Sequence, residues 1–127
     1  MENTLELLYN IQKEFTKDFF EKVHGFEMTE ILKDKNKRIR WSKEYILLLI
    51  KEATEMLDEI DFKTHKKKVT DENLEKFLEE GIDTFKYLLG LLILNGFTSE
   101  QIYNKFIEKS NIVSTKFEQD IKELENK

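Results

Sequence analysis

No proline interrupts this chain, and its four glycines, Gly25, Gly81, Gly90 and Gly96, stand far apart. Tight hairpin turns draw on glycine, proline and Asn-Gly or Asp-Gly pairs, and only Asn95-Gly96 offers one, so strands are poorly supported. Apolar residues recur instead at helical spacing. Leu5, Leu8, Phe15, Phe19 and Val23 form one stripe, and Tyr45, Leu49, Ala53, Met56 and Ile60 form another. The fold class that follows is all-α, a compact bundle of four main helices. A length of 127 residues bounds it to a single domain, 1–127, with one modest core.

The first helix is expected over 2–23, closed by His24-Gly25, where glycine can take the left-handed conformation. Met28, Ile31 and Leu32 make a short helical turn, and the polar run Lys33 to Arg40 reads as an exposed loop. Ser42 then caps a second helix over 43–62, with the basic stretch Lys63-Thr-His-Lys-Lys-Lys at its C-terminal end. A third helix spans 72–95, capped by Thr70 or Asp71, with Phe77, Thr84, Leu88 and Leu91 on its buried side. Thr98 and Gln101 are spaced as the capping box of a fourth.

Lysine and arginine number 21 against 26 acids, a net charge of −5, which lacks the basic excess that phosphate-backbone binding requires. Nucleic acid is thereby excluded as a main partner. The longest apolar run, Tyr87 to Leu94, is far short of the ~20 residues of a membrane span. Without cysteine there is no disulfide, no thiolate metal site and no cysteine nucleophile. Met1-Glu-Asn-Thr carries neither a basic nor an apolar leader segment, which predicts a cytoplasmic protein.

The informative residues are acids in the wrong place. At about 100° per residue, Glu52, Glu55 and Glu59 flank the apolar arc of the second helix, beside Tyr45 and Leu48, whereas Asp58 takes the solvated position opposite. On the third helix Glu80 and Asp83 lie one turn before the apolar stretch that starts at Phe85, on a flank shared with Tyr87 and Leu94. Each helix thus carries an acidic pair at i, i+3, so both members of a pair point in a similar direction. If the helices pack antiparallel, the pairs meet. Converging carboxylates repel unless a cation neutralises them, and oxygen ligands select hard cations such as Mg²⁺ or Mn²⁺, which bridge readily to phosphates. Any single pair of this kind is more often a solvated face or a structural ion pair; two on adjoining helices are harder to dismiss.

Glu52-Ala-Thr-Glu55, then 24 residues, then Glu80-Gly-Ile-Asp83 resembles the ExxE and ExxD signature of the all-α nucleoside triphosphate pyrophosphohydrolases, a superfamily that includes MazG-like enzymes and dimeric dUTPases. The segment from Leu48 to Lys67, with Phe62-Lys63 following the first motif, resembles the dimeric dUTPase branch, although Thr64 and His65 stand where that branch usually has tryptophans. The similarity covers about residues 41–117. It implies a Mg²⁺-dependent hydrolase, with Mn²⁺ as a possible substitute, that splits a nucleoside triphosphate, dUTP above all, into the monophosphate and pyrophosphate.

The resemblance implies Glu52, Glu55, Glu80 and Asp83 as metal ligands, with Glu52 or Glu55 orienting or deprotonating the attacking water. Lys63 and Lys109 become phosphate contacts, and Asn111, Phe62, Tyr87 and Trp41 become candidates for the rest of the nucleotide. For Trp41 a hydrophobic staple at a helix start is the stronger reading. The apolar excess from Phe85 to Leu94 predicts burial against another subunit, in agreement with the homodimers or homotetramers the resemblance implies. Two other readings compete: a MazG-like hydrolase clearing other canonical or modified dNTPs, and a non-catalytic helical interaction protein. A ferritin-like di-iron bundle needs two Glu-x-x-His motifs, and only Glu21-Lys-Val-His24 fits.

Overall fold

The computed structural model describes residues 3–60 and 71–126. Its elements are α1 (Thr4–Phe19), a single wider π-type turn (Phe20–His24), α2 (Met28–Lys33), α3 (Lys35–Asp58), α4 (Asp71–Leu94) and α5 (Ser99–Glu125). Among the described residues there is no strand, and the chain is an all-α fold with four main helices.

The helix ends follow local chemistry. Asn3 caps α1 by accepting from the Glu6 amide, and Gly25, at φ 75°, closes the π turn in the left-handed region. The end of α4 is a Schellman turn: the Phe97 amide donates back to the Leu92 carbonyl, the Gly96 amide to Ile93, and Gly96 takes φ 86°. The capping box at α5 forms as expected, the Gln101 amide donating to the Thr98 hydroxyl and the Thr98 amide to the Gln101 side chain.

The start of α3 departs from the expectation. Residues 35–40 are helical rather than a loop, because Asp34 accepts from the amides of Asn36 and Lys37 and caps the helix eight residues earlier than Ser42 would. The Arg38 guanidinium donates to the Leu32 carbonyl and ties the first turn to α2. Ser42, inside the helix, accepts instead from the Asn95 side chain at the far end of α4.

The two long helices α3 and α4 form the most extensive contact of the fold. Ser42 meets Asn95, Tyr45 meets Gly90, and Met56 meets Gly81; numbers rise on one helix as they fall on the other, so the pair is antiparallel. Around its Ser42–Asn95 end lies the core of Tyr9, Phe20, Met28, Ile31, Trp41, Tyr45, Leu89, Ile93 and Leu94. Phe20 and Ile31 are fully buried at its centre.

Two expected stripes are rotated. On α1 the buried residues are Tyr9, Gln12 and Thr16, whereas Leu8 and Phe15 are 44% and 58% exposed, and Val23, in the π turn, 64%. A reading weighted to apolar residues misses a helix that turns a polar and aromatic face inward. On α4 the deepest residues are Leu89, Ile93 and Leu94, and Leu88 is half-exposed, because α1 and α2 as well as α3 pack on this helix.

Candidate metal and active site

The antiparallel packing brings the two acidic pairs together at the end of the α3/α4 pair away from the aromatic core. Carboxylate oxygens of Glu52, Glu80 and Asp83 all lie within 4.8 Å of one another, with Glu52 and Glu80 partly buried and Asp83 exposed. Glu55 is the fourth member, close enough to act on both Glu52 and Glu80. Helix geometry explains the convergence: i, i+3 partners share a face, and Gly81, with only the Met56 methyl 3.4 Å from where its Cβ would be, lets α4 approach α3 beside the acids. Thr84 secures the same stretch, donating to the Glu80 carbonyl.

The electrostatics are those of crowded anions. The Glu80 carboxyl is pushed up to about 7, first by loss of water around it, then by Glu55 and Glu52. Glu52 is raised for the same reason, with Glu55 and Asp83 adding repulsion. One oxygen of Glu80 is buried and accepts no hydrogen bond. Three carboxylate oxygens around one point, in a cluster where one Glu80 oxygen lacks a donor, fit a hard divalent cation, which would remove the repulsion.

Tyr87 belongs to this group, as expected. Burial raises its phenol, and Glu52, Asp83 and Glu55 raise it further. Its ring meets Tyr45 edge-on with centroids 5.8 Å apart, and the Tyr45 hydroxyl is pushed up to about 12, chiefly by burial.

Behind Tyr45 stand two residues the sequence analysis passed over. Gln12 is 6% and Thr16 0% exposed; the Gln12 amide nitrogen lies 3.5 Å from the Thr16 hydroxyl, and its carbonyl oxygen is buried without a partner. Their signal was available, since Tyr9, Gln12, Thr16 and Phe20 keep helical spacing.

Other candidates are placed elsewhere. Trp41 is 9% exposed, its ring against Phe20 and His24 at 4.9 and 4.8 Å, and eleven residues of helix, about 16 Å, separate it from Glu52. A base cannot stack on a ring whose surroundings are already filled, so Trp41 is a core residue. Lys109 lines an elbow between the end of α4 and the start of α5, together with Leu92, and Asn111 lies farther out on α5. Both stand on α5, a different helix from those that carry the acids, and neither lines a pocket with any of the acids. Phe62, Lys63, Thr64 and His65 lie outside the described residues. Glu59, expected beside Glu52 and Glu55, is the C-cap of α3 and partly buried.

Among the described residues no helix is long and apolar enough to cross a membrane. No curated protein and no solved structure matches the chain. A family model described as dUTPase matches residues 4–127, so the length of chain that carries the acid cluster is matched as a whole. The chain is therefore a nucleotide pyrophosphohydrolase by family, and it belongs to the family of the dimeric dUTPases and related all-α nucleoside triphosphate pyrophosphatases.

Proposed function

We propose that the protein is a Mg²⁺-dependent hydrolase that converts dUTP to dUMP and pyrophosphate. The observation that carries this reading is the meeting of Glu52, Glu80 and Asp83 within 4.8 Å in a chain of this family. Glu52, Glu80 and Asp83 would hold the cation, which when bound neutralises phosphate charge and makes water easier to deprotonate. Glu55 stands beside this trio rather than in it and is the residue placed to take the proton of the water that attacks the α-phosphorus. The bond to the bridging oxygen breaks, and pyrophosphate leaves.

Tyr87 lies between the acids and Tyr45, at the edge of the phosphate end. Gln12 approaches α4 at Gly90, seven residues or about 10 Å from Asp83. Its buried carboxamide has an unmade acceptor and stands behind Tyr45 as a polar group inside the helix packing.

The test is pyrophosphate release from a panel of canonical and modified dNTPs with Mg²⁺, with Glu55→Gln alongside. A strong preference for dUTP, with kcat lowered by about 10²–10⁴ in the variant, is the expected result. Comparable turnover of several dNTPs would move the protein to the MazG-like group. No release by folded wild type would refute the enzymatic reading.

A further inference from the structure

The chain has three methionines and no cysteine. A peroxide therefore finds no thiolate to attack first, and the sulfur it meets is a thioether. Met28 is 6% exposed within the aromatic core, and Met1 lies outside the described residues. Met56 is partly exposed and stands on α3 where Gly81 and Thr84 of α4 face it.

Its thioether is built into that seam at two points. The methyl group lies 3.4 Å from where a Cβ on Gly81 would be, and the sulfur accepts from the Thr84 hydroxyl at 3.8 Å. The same hydroxyl donates to the Glu80 carbonyl at 2.9 Å. It has one proton to give, and a thioether is the weaker of the two acceptors. While the sulfur is bare, the hydroxyl therefore stays with the Glu80 turn. Met56 also follows Glu55 directly and lies one helical turn from Glu52, so both acidic pairs adjoin this one side chain.

Oxidation changes these contacts. A hydroperoxide passes one oxygen to a sulfur lone pair: the S–O bond forms as the O–O bond breaks, and the thioether is oxidised by two electrons. The peroxide is reduced, its remaining oxygen taking the proton of the transferred hydroxyl and leaving as water or an alcohol. The product carries a polar oxygen on what was an apolar side chain. Directed at Thr84, the new bond takes up more than a third of the 3.8 Å gap, and what remains is shorter than the about 2.5–3.0 Å of an O–H···O bond. The two helices must give at that level, and the hydroxyl proton goes to the stronger acceptor.

We propose that Met56 is an oxidative modification site that controls the acid cluster. Its sulfoxide draws Thr84 off the Glu80 turn, spreads α3 from α4 beside Glu52, Glu80 and Asp83, and weakens Mg²⁺ binding until a methionine sulfoxide reductase restores the thioether. The proposal rests on the reading of the acids as a metal site.

The test treats the full chain with hydrogen peroxide and locates the added oxygen by peptide mass spectrometry. Mg²⁺ binding by titration calorimetry, the melting temperature and pyrophosphate release are then measured on the same samples. Met56 is expected to gain its oxygen ahead of Met28, and the Kd for Mg²⁺ to rise about 10–100-fold, as when a group that orients a metal ligand is lost. The melting temperature should fall, and the reductase should return both values. Met56→Leu, close to methionine in volume, is expected to keep its Mg²⁺ affinity through the same treatment. Should that variant fold poorly, the oxidised wild type before and after the reductase supplies the comparison. The two ways to fail are distinct. Untreated wild type that binds no Mg²⁺ refutes the metal reading of the acids. Met56 sulfoxide that melts and binds Mg²⁺ as the untreated protein does, or an equal loss of binding in treated Met56→Leu, overturns the role of Met56.

Discussion

The same substitution at two glycines of one helix should move stability in opposite directions. Gly81 and Gly90 both lie inside α4, and alanine in a helix interior is favoured over glycine by about 0.5–1 kcal/mol. At Gly81 an added Cβ meets only the Met56 Cε, at 3.4 Å, the end of a flexible side chain that gives way cheaply. Gly81→Ala therefore keeps its gain and raises Tm by about 2–4 °C, taking about 4 °C per kcal/mol for a domain of this length. At Gly90 the Cβ would stand 2.9 Å from the Tyr45 ring and 3.5 Å from the Gln12 amide. That ring is 6% exposed and confined by Phe20 and Tyr87 at 6.3 and 5.8 Å, so it cannot swing aside. Overpacking of this kind costs about 1–3 kcal/mol, more than the propensity gain. Gly90→Ala should lower Tm by about 4 °C. Displacing Tyr45 should also disturb Tyr87 and lower kcat/KM, whereas Gly81→Ala, one residue from Glu80, tests the opposite case of a stabilised helix beside the acids. Calorimetric melts at equal protein concentration decide it. A Gly90→Ala protein as stable as Gly81→Ala would refute the claim that the Tyr45 contact sets the spacing of α3 and α4.

Further outcomes follow from the acids and the caps. An acid raised from about 4.5 to about 7, as Glu80 is, holds its proton longer in the folded than in the unfolded state, so metal-free protein should lose stability as pH rises from about 4.5 to 7 and level off above. Glu80→Gln should flatten that slope, and an unchanged pH–Tm curve would show that the acids do not strain the fold. Mg²⁺ at a hundred times its Kd should stabilise the wild type by about 2.7 kcal/mol; the gain should persist in Glu55→Gln and vanish in Glu80→Gln, and loss in both would make Glu55 a ligand. Thr98→Ala removes the α5 cap and should cost about 1 kcal/mol in urea unfolding, with Thr98→Ser neutral.

The four acids and the antiparallel pair that joins them were legible in the sequence because they rest on local rules, the spacing of i, i+3 pairs and the apolar arcs beside them. Helix ends were legible where a side chain or glycine acts on its own neighbours, as at Gly25, Gly96 and Thr98. The start of α3 was misread because Asp34 and Ser42 are both capable caps, and the choice is made by what Ser42 meets, Asn95, 53 residues away. The same holds for Gln12 and Thr16. Their burial depends on Gly90 and Tyr45 lying opposite, which no window along α1 contains. Trp41, read as a staple just before a helix start, lies inside α3 because Asp34 caps that helix seven residues before it.

The α3/α4 pair also divides the molecule into a stiff end and a soft one. Around Trp41, Tyr45 and Leu94 the helices are riveted by interlocked rings and by the Ser42–Asn95 bridge; around Glu52 and Glu80 like charges face one another, Glu52 within two turns of where α3 stops and Glu80 two and a half turns from where α4 begins. Spontaneous opening should start at the soft end, and a cation would act there as a clasp. Amide exchange from Glu55 to Asp58 and through the first half of α4 should slow when Mg²⁺ is added, while amides near Trp41 keep their rates. Metal supply would then govern how long the catalytic end of the protein stays closed, not only how fast it turns over.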